Sequence, residues 1–251
     1  VGKQNVGATL VRGLRKVLGT DRIEASWRAE FAAQAYRVSA ERGLRVCWTV
    51  LVINLMLFPL IDWVTWRNGQ WAGQPAHEHI FWWRVGLMLL VAMLLAARAL
   101  IKDEFERNRV FAWGSAIGFP MMGTWFTIVC QTLITDASIY ALFLIGASVL
   151  FPLPGLLKLL IYPTSFLVVF AGLEWLPAGE PVSALHLTVN AACVAIGAVT
   201  VEAVAMRTYV ADFAKSVQID HERRRADELL RNVLPAPVAE RLKTDPSTRV
   251  E

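Results

Sequence analysis

Charged residues are missing from a large part of this sequence. The chain has 25 Lys and Arg and 21 Asp and Glu among 251 residues, yet 112 residues lie in windows that contain none of them. This segregation excludes a disordered chain and an ordinary cytosolic enzyme, because both spread their charges along the sequence. The six uncharged windows are 46–61, 85–97, 110–135, 137–157, 159–173 and 181–201.

Cysteine is also scarce, since the chain contains only Cys47, Cys130 and Cys193. Each of them lies inside an uncharged window, where a free cysteine packs as a small apolar side chain. A secreted scaffold held together by disulfides is therefore excluded.

Apolar residues fill the uncharged windows and make up 55% of the chain, with a mean hydropathy of +0.44. A helix needs about 20 apolar residues to cross a bilayer. We therefore predict an all-α membrane protein with six transmembrane helices, in which residues 152–155 (Pro-Leu-Pro-Gly) form a tight reversal between the fourth and the fifth. The predicted spans are 44–66, 80–100, 110–132, 137–157, 156–176 and 182–206.

The distribution of cations predicts the orientation. If both termini are cytoplasmic, 23 of the 25 Lys and Arg lie on the inner side, and only Arg67 and Arg84 lie outside. Cytoplasmic segments are enriched in Lys and Arg in this way, so we predict a multi-pass protein of the plasma membrane. The pI of about 9.2 is then explained by anionic membrane lipid as a partner, and we expect no nucleic-acid partner.

Three regions follow from this topology. We predict a cytoplasmic tail and amphipathic helix at 1–43, a six-helix membrane domain at 44–206 and a cytoplasmic segment at 207–251. The charged first region carries no cleavage site, so we expect no cleaved signal peptide. We expect its amphipathic helix to lie on the inner membrane surface or to pack against emerging helices through an apolar face. That face consists of Ile23, Trp27, Phe31, Ala35 and Val38.

Carboxylates gather at the predicted outer boundary. Asp62, Asp136 and Glu174 each end a span on the outer side, and Glu78 lies in the longest outer loop. Together with Arg84 they predict an outer pocket for a hard cation or a small cationic ligand. The alternative is a set of solvated helix ends. A metal site on His77 and His79, which flank Glu78, has weaker support because two histidines with one intervening residue are a common pattern.

A buried chain of ionisable groups is missing from the predicted spans. No span has a charge near its midpoint, which argues against a pump or an ion path. Gly114 and Gly118 form a GxxxG pair in the third span, which permits another helix to approach closely.

The sixth span continues into a long charged helix that has no breaker before Pro235. Met206, Val210, Phe213 and Val217 follow at spacings of four and three, which is the spacing of a coiled-coil seam. We predict that these residues form the stalk of a parallel homodimer.

Residues 222–242 resemble the signalling helix and short helix-turn that precede the catalytic domain of class III nucleotide cyclases. Six spans followed by this element are similar to the mycobacterial membrane adenylate cyclases, which resemble half of a mammalian membrane cyclase. The resemblance is carried by a helix that ends in Leu-Pro and a following Val-Ala-x-Arg-Leu, with the residues Leu229, Leu230, Asn232, Leu234, Pro235, Pro237, Val238, Ala239, Arg241 and Leu242.

The resemblance implies a function for the complete protein. Such a cyclase converts ATP to cyclic AMP and pyrophosphate, with two Mg²⁺ or Mn²⁺ ions in each site at a dimer interface. It implies a coupling turn at Leu234, Pro235, Pro237 and Arg241, and it assigns no catalytic or metal-binding residue to this sequence. We therefore expect the chain to be the membrane and coupling part of a longer cyclase, and not an enzyme by itself.

Two other classes of protein remain open. A six-span sensor that feeds a histidine kinase or a diguanylate cyclase has the same bundle and a similar stalk. A transporter or channel requires polar groups or broken helices at the bilayer midplane. The sequence that follows Glu251 in the gene distinguishes these classes.

Overall fold

The computed structural model describes residue 13 and residues 15–69, 75–129, 137–154, 157–175 and 181–233. Within these ranges the chain is helical and contains no strand. Two short 3₁₀ helices, Thr20–Arg22 and Ala25–Trp27, precede the longer helices. These are α1 (Arg28–Leu57), α2 (Trp63–Arg67), α3 (Pro75–Leu100), α4 (Glu104–Val129), α5 (Ser138–Leu150), α6 (Leu157–Trp175) and α7 (Pro181–Val233).

The chain divides into two compact units, Val1–Arg207 and Thr208–Glu251. The helices from α1 to α6 belong to the first unit, and α7 contributes residues to both. The predicted end of the membrane domain, at residue 206, therefore lies next to the boundary between the two units.

The predicted amphipathic helix and the predicted first span form one helix. α1 runs through residues 43 and 44 without a break. Phe31 and Ala35 of the predicted apolar face are buried in α1, whereas Ile23 and Trp27 of that face precede α1. After α1 the residues Phe58–Asp62 form a π-helical turn, in which the Trp63 amide donates to the Phe58 carbonyl. Pro59 lies in this turn and lacks an amide proton, which accounts for the widened hydrogen-bonding pattern.

Within the described residues, three stretches of helix are long and apolar enough to cross a membrane, judged by length and composition: Ala25–Arg67, His77–Leu100 and Leu185–Leu229. They coincide with the first, second and sixth predicted spans. α4, α5 and α6 overlap the other three predicted spans, but α5 has only 13 residues, and α4 begins with the charged segment 104–109. The total of six spans therefore stays a prediction.

α4 lies between its neighbours through close contacts at small residues. A Cβ atom at Gly114 would come within 2.6 Å of the Leu94 side chain of α3, and one at Gly118 within 2.8 Å of Leu90. The predicted close approach at this GxxxG pair is thus confirmed. On another side of the bundle, Gly43 of α1 has no room for a side chain beside Phe111 of α4.

Residues 151–154 after α5 are non-helical, and Gly155 of the predicted reversal lies outside the described residues.

A second apolar cluster joins α5, α6 and α7. α7 contributes a leucine and several alanines to this cluster, and α5 and α6 contribute two buried tyrosines. The buried members are Ala137, Tyr140, Leu144, Tyr162, Val169, Leu173, Leu187, Ala191, Ala195 and Ala198.

Candidate functional site

Two opposite charges are buried together where α6 begins. Lys158 lies in the first turn of α6 and is 1% exposed, and Glu202 of α7 is 2% exposed. The Lys158 ammonium group forms a salt bridge with Glu202 Oε2, and it also donates to the Phe151 carbonyl at the end of α5. We call Lys158, Glu202, Tyr162 and the Phe151 carbonyl the Lys158–Glu202 cluster.

Tyr162 completes the cluster because it lies one turn after Lys158, on the same face of α6. Its hydroxyl donates to Glu202 Oε2 at 2.8 Å. A second pair of hydroxyls continues from it: Ser165 Oγ donates to the Tyr162 carbonyl at 2.8 Å and lies 2.9 Å from the Tyr140 hydroxyl of α5. Polar contacts therefore connect α5, α6 and α7 in a part of the bundle that is otherwise apolar.

Burial of two charges is costly unless each has close partners, and here both do. Lys158 has a carboxylate and a carbonyl, and Glu202 has an ammonium group and a hydroxyl. Removal of one partner from such a pair costs about 3–5 kcal/mol. The cluster therefore opposes any movement of α7 along or around its axis relative to the start of α6.

A second contact holds α7 five residues further along. Arg207 Nε donates to the Val17 carbonyl at 2.6 Å, and Leu18 beside it is buried. Gly19 follows with a φ of 73°, and a Cβ atom there would lie 3.3 Å from Arg207 Cγ. Since each residue turns a helix by about 100°, the contacts at Glu202 and Arg207 hold α7 from directions about 140° apart.

We call the contacts of Glu202 and Arg207 the α7 anchor. It was not predicted, although Lys158 and Glu202 lie at the inner ends of the predicted spans 156–176 and 182–206. One signal could have found the buried pair. Lys158 is the only charged residue between Asp136 and Glu174, and a lone cation in such an apolar stretch needs an anionic partner.

The predicted outer pocket is described only in part. Asp62 and Arg84 do meet, with 2.5 Å between Oδ1 and Nη1, and both side chains are largely buried. Glu78 is exposed in the first turn of α3. Asp136 and the Glu174 side chain lie outside the described residues. In the part of the chain that is described, no three His, Cys, Asp or Glu side chains could hold a metal ion, so the cation pocket stays a prediction.

The predicted dimer seam lies on a helical stretch, as its spacing requires. Met206, Val210 and Phe213 are buried in the single chain, whereas Val217 is half-buried. Ile219 is 52% exposed on a different face of the helix. The coupling turn at Leu234, Pro235, Pro237 and Arg241 lies outside the described residues, because the description of α7 ends at Val233.

No protein-family model, no curated protein and no solved structure matches this chain.

Proposed function

We propose that this chain is the membrane anchor, dimerisation and signal-coupling region of a class III adenylate cyclase. The observation that carries the proposal is the continuity of α7, which runs for 53 residues from Pro181 to Val233. Its first part lies in an uncharged window and its last part is strongly charged. A continuous helix of this kind carries a movement in an apolar bundle to a polar domain beyond it.

In the proposed topology six helices cross the plasma membrane and both termini are cytoplasmic. Support comes from the three apolar stretches of sufficient length and from the placement of nearly all cations on one side. The shorter helices α5 and α6 are compatible with this topology because α5 lies within the uncharged window 137–157 and α6 covers the uncharged window 159–173.

The α7 anchor gives the coupling a physical basis. While Glu202 is paired with Lys158, the register of α7 relative to α5 and α6 is defined. A signal that binds one arrangement of the bundle more tightly than another shifts the population of α7 positions by its difference in affinity. Two α7 helices in a parallel dimer would then present the parts that follow in a changed orientation.

The chemistry itself is proposed for the complete protein, with ATP as its substrate. The resemblance of residues 222–242 supports this class, with Leu234, Pro235, Pro237 and Arg241 as the turn that redirects the chain. The Mg²⁺ or Mn²⁺ ions of such cyclases belong to the catalytic domain, and no residue of this chain is assigned to them.

Cysteine crosslinking tests the dimer. In a background without Cys47, Cys130 and Cys193, single cysteines at Phe213 and Val217 should form disulfides between two copies in the membrane. Cysteine at Ile219 is the matched control, because it lies on the same helix but on another face. Crosslinking at Ile219 without crosslinking at Phe213 or Val217 would overturn the predicted seam.

The reaction class is tested with the complete gene product. Expression in cells that lack their own adenylate cyclase should raise cyclic AMP. A rise in cyclic di-GMP, or phosphorylation of a histidine, would instead support the diguanylate cyclase or histidine kinase alternative and refute the proposed class.

A further inference from the structure

An apolar cavity of about 290 Å³ lies between α1, α4 and α5. It is lined by Val46 and Val50 of α1, Phe119 of α4, and Phe143, Gly146 and Leu150 of α5. Leu142, which also lines it, is 67% exposed, so the cavity opens to the surface of the bundle. Its size is at the lower limit of ligand pockets, which begin at about 300 Å³, and it suits one narrow apolar chain.

Two cations of α1 lie one turn before residues that line this cavity. Arg42 lies one turn before Val46, and Arg45 lies one turn before Thr49. Arg42 Nη1 donates to the Val149 carbonyl at 3.2 Å, which holds its guanidinium group beside the cavity. Within the described residues neither arginine has an acidic partner within 4 Å.

The remaining N–H groups of these arginines suit an anion with several oxygen atoms, such as a phosphate. Arg45 is also the last charged residue before the uncharged window 46–61. If the membrane begins at that point, as in the proposed topology, the two guanidinium groups lie at the depth of the lipid headgroups.

We propose that this cavity binds an anionic phospholipid, with one acyl chain in the apolar cavity and the phosphate on Arg42 and Arg45. This site depends on the membrane placement of α1 in the proposed function. It extends that function because Phe151 connects the cavity to the Lys158–Glu202 cluster. Phe151 lines the cavity, and its carbonyl accepts a hydrogen bond from Lys158 of the Lys158–Glu202 cluster. A bound lipid therefore contacts the residue that positions Lys158 and, through Lys158, the Glu202 side chain of α7.

Lipid retention in nanodiscs tests the site. The chain is placed in equal amounts of phosphatidylglycerol and phosphatidylcholine with the same acyl chains, and native mass spectrometry counts the lipids that stay bound. We expect roughly 30-fold preference for phosphatidylglycerol, because each arginine near the surface contributes about 1 kcal/mol toward an anionic lipid. Arg42→Gln with Arg45→Gln should abolish this preference, and equal retention of the two lipids by the parent chain would overturn the proposal.

Glycine substitutions separate the cavity from general lipid contact. A Cβ atom at Gly146 or at Gly197 meets no other atom within 4 Å, and only Gly146 lines the cavity. Gly146→Leu should fill the cavity and reduce phosphatidylglycerol retention about tenfold. Gly197→Leu and Gly146→Ala should leave phosphatidylglycerol retention unchanged. Equal losses in Gly146→Leu and Gly197→Leu would refute the cavity as the binding site.

Three further measurements complete the test. The melting midpoint of each variant, followed by tryptophan fluorescence, shows that a loss of lipid is not a loss of fold. Glycerol phosphate without acyl chains should not compete, and competition would refute a lipid in favour of a free phosphate ligand. Specific lipid retention without any effect of the lipid on crosslinking at Phe213 or Val217 would leave the site intact and count against its role in coupling.

Discussion

Substitution of Lys158 by methionine gives the sharpest test of the α7 anchor. Methionine keeps most of the length of the side chain and removes its charge, so the Glu202 carboxylate stays buried with the Tyr162 hydroxyl as its remaining partner. A buried charge that has lost its partner lowers the free energy of unfolding by about 3–5 kcal/mol. For a chain of this size, 1 kcal/mol corresponds to about 2–4 °C, so the melting midpoint should fall by roughly 6–20 °C.

The double variant Lys158→Met with Glu202→Met removes both charges. Buried ion pairs that are replaced by apolar residues of similar volume are often neutral or stabilising by about 1–4 kcal/mol. The double variant should therefore melt near or above the parent, while its α7 has lost the directional contact that defines its register. We expect restored stability with altered crosslinking at Phe213 and Val217.

An exposed ion pair provides the control. Arg109 and Glu106 are 2.6 Å apart, with side chains 47% and 41% exposed. Arg109→Met should cost less than about 1 kcal/mol, because exposed pairs are weak. Ten tryptophans supply the fluorescence signal for all of these melting curves. If Lys158→Met melts like Arg109→Met, or if the double variant is as unstable as the single one, the cluster does not hold α7.

Three further predictions concern other parts of the chain. Gly19→Ala should destabilise the contact of the N-terminal segment with α7 by about 1–2 kcal/mol, because alanine is strained at this positive φ, and proteolysis of the N-terminus should become faster. Asp62→Asn should cost about 1.5–3 kcal/mol through its lost pair with Arg84. If the predicted outer pocket binds divalent ions, added Ca²⁺ or Mg²⁺ should raise the melting midpoint of the parent and raise that of the variant less, and identical midpoints with and without the ions would refute the pocket. In the complete protein, Pro235→Ala with Pro237→Ala should let the stalk helix continue and abolish activity while dimer crosslinking persists; retained activity would mean that the turn does not couple.

Local patterns predicted much of the helical structure. The uncharged windows located the apolar helices because a helix that contacts lipid cannot carry unpaired charges. The spacing of Phe31 and Ala35 predicted which face of α1 is buried, and the pair Gly114 and Gly118 predicted a close contact. Each of these features depends on residues within a few turns of one helix, so a single sequence is sufficient to find them.

Boundaries between helices were harder to predict. The charge pattern changes near residue 44, yet α1 continues through this point. A change from a polar to an apolar environment does not end a helix, because the backbone hydrogen bonds are the same on both sides. A helix ends where a residue cannot continue it, as at the turn that contains Pro152 and Pro154.

The sequence by itself determined that this is a helical, strongly apolar chain whose last long helix passes from an uncharged window into a charged segment. Only the tertiary structure decided which polar groups meet. Tyr162 and Glu202 are 40 residues apart, and Val17 and Arg207 are 190 residues apart. From the sequence, Glu202 and Arg207 look like the solvated end of a segment, because composition and spacing describe only the neighbours along one helix. Whether a charge is buried and paired depends on which helices pack against it, and that is a property of the whole bundle.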